Sequence, residues 1–136
     1  MPRERVVRVL RQVATGLVRA LVHPMVSVEL FGLLREVERA RTTSSPRDAV
    51  ASARRRGRSA LRRGPPARAV LKRLIVNVDA LGPGGPNCYR RALLESALDR
   101  GAAEEKIHFA LDVGKTGHAW LESDPERQQF DVVFSV

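Results

Sequence analysis

Ile107-His108-Phe109-Ala110-Leu111-Asp112-Val113 is where the chain changes period: Ile107, Phe109, Leu111 and Val113 are apolar at every second position, with His108, Ala110 and Asp112 between them. An extended strand sends alternate side chains to opposite faces, so this spacing predicts a half-buried strand. Two segments of the same kind follow, His118 to Ser123 and Gln128 to Val136, with turn material at Asp124-Pro125-Glu126-Arg127 between them. The apolar segments before Ile107 have helical spacing instead. Helices first, then three strands, predict an α+β fold with a small antiparallel sheet.

Working back from the strands, Cys88 to Arg100 reads as a helix, with Leu93, Leu94, Ala97 and Leu98 apolar, Asn87 as its cap and Gly101 as its stop. Before it lies Gly82-Pro83-Gly84-Gly85-Pro86-Asn87, six residues that cannot continue a helix. Ala67 to Asp79 carries Val70, Leu71, Leu74, Ile75 and Val78 at three- and four-residue steps. Ser45-Pro46-Arg47-Asp48 opens an earlier helix with a Ser cap, Pro in the first turn and an acid behind it, and Gly64-Pro65-Pro66 closes that helix. Two further amphipathic segments, Arg3 to Val22 and Val26 to Arg41, meet at Pro24 as a helical hairpin. The division is a basic helical region, 1–65, and a core, 66–136.

The 136 residues hold 24 Lys and Arg against 15 Asp and Glu, a formal net charge of +9. That average hides a division: residues 1–80 have 18 bases and 6 acids, whereas 81–136 have 6 bases and 9 acids. The excess centres on Arg54, Arg55, Arg56, Arg58, Arg62 and Arg63. It suggests a docking surface for an acidic partner, or a basic adaptor for nucleic acid or membrane; no stacking platform or known nucleic-acid motif accompanies it. No apolar run reaches the roughly 20 residues a spanning helix needs, and Arg8, Arg11 and Arg19 interrupt the first apolar stretch, so no secretory signal is expected. A single cysteine excludes an internal disulfide, fits a reducing cytoplasm, and leaves no Cys-rich zinc site; no metal or other cofactor is expected.

Cys88 is then the residue with the most chemistry. At a helix N-terminus a thiol faces unpaired backbone amides and the positive end of the macrodipole, which favours the nucleophilic thiolate, and Arg90 and Arg91 would add to that field. The bland alternative is a small buried hydrophobe. Of the three histidines, His23 sits at a helix break and His108 points away from the apolar face of its strand. His118 has a partner: if Phe130, Val132 and Phe134 share the core face with Ala119 and Leu121, then His118, Trp120 and Glu122 share the other face with Asp131. A hairpin of the second and third strands would bring His118 and Asp131 together, with Trp120 shielding them. Thiol, imidazole and carboxylate are the parts of Cys-His-Asp chemistry.

The residues Cys88-Tyr89-Arg90-Arg91-Ala92-Leu93-Leu94, the Arg100-Gly101 helix end, and Gly117-His118-Ala119-Trp120-Leu121-Glu122 after a strand resemble the transglutaminase-like (papain-like) cysteine peptidase fold. Within it the sequence is similar to the lasso-peptide biosynthesis B2 protein family of leader peptidases, from about Pro66 to Val136, most specifically over His118–Glu122. Tyr89 and Gly117 depart from the Leu and Ala usual there. The resemblance implies Cys88 as nucleophile, His118 as general base and Asp131 as third member of a triad. It also implies a ribosomally made precursor peptide as substrate, a separate leader-binding B1 protein and an ATP-dependent lasso cyclase as partners, and a variable helical N-terminal portion. A transglutaminase-like acyl transferase is the rival reading, since the triad does not choose between water and an amine.

Overall fold

The computed structural model describes residues 24–111, 114, 116–124 and 134–136. The segment Arg3 to Val22, His23 and Asp131 lie outside the described residues. Among the described residues five helices come first: α1 (Pro24–Thr43), α2 (Pro46–Gly57), α3 (Pro65–Asp79), α4 (Cys88–Leu98) and the single turn α5 (Arg100–Ala103). Three strands follow, β1 (Ile107–Leu111), β2 (Gly117–Leu121) and β3 (Phe134–Ser135), so the protein is α+β with a small antiparallel sheet.

α4 is the centre. On it Ala92, Leu93, Leu94, Ala97 and Leu98 are all at most 5 % exposed, and it packs against α1, α2, α3 and β2. Its burial takes in Arg90, Glu95 and Ser96 as well, so this helix lies in the core, with Arg90 and Glu95 paired there, rather than on a surface. The surrounding helices contribute one face each: Leu30, Leu33, Leu34 and Val37 from α1, Ala49, Val50 and Ala53 from α2, and Leu71, Leu74, Ile75 and Val78 from α3. Ile107, Ala119 and Leu121 close the same cluster from the sheet. No described helix is long and apolar enough to cross a membrane.

The predicted start of α2 is the observed one, with Ser45 Oγ accepting from the Asp48 amide at 3.2 Å and Pro46 in the first turn. Its end differs. The helix stops at Gly57 rather than running to Gly64, and Gly57 is where α2 touches α4: a Cβ there would lie 1.9 Å from the Ser96 carbonyl oxygen. α4 also ends early, at Leu98 rather than Arg100. Asp99 turns extended (φ −133°) and caps α5, its carboxylate accepting from the Ala102 amide at 2.9 Å. Gly101 is therefore inside α5 and is not the stop of α4.

The strand order is β2-β1-β3. The expected hairpin of the second and third strands is replaced by pairing of both with the first: β1 and β2 meet with Ile107 opposite Leu121 and Ala110 opposite His118, and β1 and β3 with Phe109 opposite Phe134. Backbone bonds of 2.8 and 2.9 Å between Ile107 and Val136, and stacked Phe109 and Phe134 rings 4.6 Å apart, hold the C-terminus against β1. The most buried strand residue on that side, Ile107, thereby gains a neighbour on each flank.

Candidate active site

The site starts from Asp79, the last residue of α3, and Arg90, in the first turn of α4; both side chains are fully buried. Arg90 Nε donates to Asp79 Oδ1 at 2.6 Å, and its Nη atoms donate to the backbone oxygens of Asp79, Pro83 and Gly85 and to Glu38. A guanidinium offers five donors in a fixed fork, and here the fork gathers the whole glycine-rich connection onto the start of α4. Gly84 and Gly85 have φ of +76° and +78°, which glycine adopts without strain. At Gly82 a Cβ would come within 2.5 Å of the guanidinium. The expectation that Arg90 adds to the field at Cys88 is thus corrected: its charge is paired with Asp79 and spent on the loop. Arg91 also points back, its Nε 3.5 Å from Asp79.

Asp79 serves α4 a second time, because its other oxygen accepts the Asn87 amide at 2.8 Å. Asn87 in turn caps the helix, its side chain accepting from the Arg90 amide at 2.9 Å, as the sequence predicts. The first amides of a helix have no partner within it. With the Arg90 amide claimed by Asn87, those of Cys88 and Tyr89 take no acceptor among the described residues.

Cys88 lies at this N-terminus and is half-buried. Its Sγ accepts from the Ala119 amide at 3.3 Å and lies 3.9 Å from the Gly117 carbonyl oxygen. Glu122 donates its amide to Lys106, so the even-numbered residues of β2 bond to β1 and the odd-numbered ones turn their amides to the open edge. The thiol sits on that edge, against the residues immediately before and after His118. Cys88 and His118 line one pocket of about 450 Å³, together with Tyr89, Phe109, Leu111 and Phe134. Cys88 also lines a pocket of about 350 Å³ with Lys72, Ile75, Val76, Arg91, Glu95, Trp120 and Asp124.

The expected faces of β2 follow the register: Ala119 belongs with Phe109, His118 with Ala110, and Trp120 with His108. Trp120 is only 7 % exposed, with its ring 5.9 Å from that of His108. The expected hairpin of the second and third strands is not formed by the described residues, where β3 (Phe134–Ser135) pairs with β1, and Asp131 itself lies outside them. Beyond the three predicted residues, the structure adds charged groups whose sequence signal was faint. Glu95 is two turns along α4 from Cys88 and bonds Arg68 at 2.8 Å, and Lys72 bonds Asp124 at 2.9 Å. Burial raises the Glu95 pKa above its ordinary value, against the pull of Lys72 and Arg68. Among the described residues no group of three or more His, Cys, Asp or Glu could hold a metal ion. Comparison of the chain with protein families, with curated proteins and with solved structures found no match.

Proposed function

We propose that the chain is a cysteine peptidase of transglutaminase-like fold that removes the leader from a ribosomally made precursor during lasso-peptide biosynthesis. The observation that carries the reading is the Cys88 thiol at the start of α4, lodged against the backbone on both sides of His118. A nucleophile on a helix N-terminus beside an imidazole-bearing strand is the arrangement that Cys-His chemistry needs. The sequence resemblance supplies the substrate class.

In this mechanism Cys88 Sγ, its proton passed to His118, attacks the scissile carbonyl and forms a C–S bond while the carbonyl π electrons move to oxygen. The amides of Cys88 and Tyr89 are the donors at hand for that oxyanion. Its collapse breaks the C–N bond, and the leaving amine takes the proton from His118. Water then attacks the thioester, giving up a proton to His118, and the carboxylic acid and thiol are released. Asp131 is the orienter of the imidazole in this scheme, on the strength of the resemblance alone. A leader-binding B1 protein and an ATP-dependent cyclase are the proposed partners, and a reducing cytoplasm the proposed compartment.

Incubating a lasso precursor with the protein and its leader-binding partner, followed by mass analysis, tests this. Two fragments whose summed mass exceeds the precursor by one water are expected, and none with Cys88→Ala. Addition of an amine in place of water would convert the reading to acyl transfer. Full processing by Cys88→Ala would remove Cys88 from the chemistry.

A further inference from the structure

The two pockets that meet at Cys88 differ in kind. In the larger one Tyr89, Phe109, Leu111 and Phe134 supply apolar and aromatic surface, and no Asp, Glu, Lys or Arg among the described residues lines it. The Tyr89 ring sets its edge on Phe109 at 5.0 Å, and Phe109 stacks on Phe134 at 4.6 Å, so the wall is one continuous aromatic surface. Leu111 and Phe134 are nevertheless 56 % and 44 % exposed. Apolar surface left open beside a nucleophile is what a pocket for an apolar group requires. The second pocket lined by Cys88 is mixed, with Lys72, Arg91, Glu95 and Asp124 standing beside Ile75, Val76, Ala92 and Trp120.

From this asymmetry we infer that the pocket walled by Tyr89, Phe109, Leu111 and Phe134 is a specificity subsite. It takes an aromatic or large aliphatic side chain adjoining the carbonyl that Cys88 attacks, while the pocket that carries the charged residues takes a neighbouring stretch of the same peptide. The inference rests on Cys88 being the nucleophile. Its occupant is a peptide, because Cys88 lines both pockets and a chain laid across the thiol would reach both. A charged side chain in the aromatic pocket would be desolvated with no Asp, Glu, Lys or Arg among the described residues that line it, which disfavours it there.

Alkylation by N-acetyl-phenylalanyl and N-acetyl-lysyl chloromethyl ketones tests the subsite without requiring hydrolysis. In each case Cys88 Sγ forms a bond to the chloromethyl carbon, chloride leaves, and the thiol proton goes to solvent. Rates are divided by the iodoacetamide rate of the same protein, which cancels changes in thiol reactivity. The phenylalanyl probe is expected to react at least about tenfold faster than the lysyl probe, the discrimination an apolar pocket gives. Leu111→Asp and Phe134→Asp, both at exposed positions, should bring the ratio towards one. Equal rates in the unmodified protein, no labelling by either ketone, or a ratio unchanged in both variants would overturn the subsite. Unselective labelling together with precursor cleavage discards the subsite and leaves the peptidase; selective labelling with an uncut precursor does the reverse.

Discussion

The Asp79–Arg90 pair does more for the geometry of Cys88 than any group that touches the sulfur. Asp79 binds Arg90 through one oxygen and the Asn87 amide through the other, so a single carboxylate fixes the loop and the cap immediately before the thiol. Removing one partner of a fully buried ion pair leaves the other charge uncompensated, at a cost of about 3–5 kcal/mol. Asp79→Ala should lower unfolding stability by that order in urea titrations, whereas Arg91→Ala, at the partly exposed contact, should cost under about 1 kcal/mol. The contrast also marks how far the sequence could be read. Cys88 at a helix start was legible because Asn87 is a local cap. The burial of Arg90 was not, since an arginine beside Arg91 looks like a solvated pair, and only Asp79, eleven residues away across a loop, makes it a core residue.

At the scale of elements, apolar spacing revealed which segments are helices and which faces turn inward, but not which elements are neighbours. Alternation assigns a strand residue to a face, and it leaves open which strand lies beside which. That is why Ala119, Leu121 and Phe134 came out on a common face while the order β2-β1-β3 did not. Contacts between elements decided helix ends too. Gly57 ends α2 where it meets the Ser96 carbonyl, so Gly57→Ala should destabilise by about 1–3 kcal/mol through overpacking, visible as a lower Tm. Arg54 belongs to the predicted basic surface, yet its Nη2 donates to the carbonyl oxygens of Glu105 and Val136 at 2.7 and 2.8 Å. Arg54→Ala should therefore loosen the C-terminal strand, read as faster amide exchange at Ile107 and Val136, rather than merely weaken binding to an anionic partner.

Across the described residues much of the basic excess is paired with carboxylates, on the surface at Arg56 and Arg62 and largely buried at Arg68. Arg56 pairs with Glu29 and Glu36, Arg62 with Glu104, and Arg68 with Glu95 and Glu105, while Arg47, Arg55 and Arg58 remain exposed without an ion pair among the described residues. The same pairing links stability to pH. Glu38 is held below its ordinary pKa of 4.5, first by the hydrogen bond from Arg41, against burial, and then by Arg90. The folded state therefore binds that proton less readily than the unfolded chain, so the Glu38 contribution is present above 4.5 and is lost as pH falls through the lower folded value. Urea midpoints of the unmodified protein should exceed those of Glu38→Gln at neutral pH, with the gap closing as the solution is acidified below 4.5. The proposed function turns on one sulfur and the bond it forms. Intact-mass analysis of the protein quenched in acid during turnover of a precursor should show a covalent acyl adduct that maps to Cys88 and disappears when the precursor is consumed. Complete processing with no adduct on Cys88, and with Cys88→Ala fully active, would contradict it.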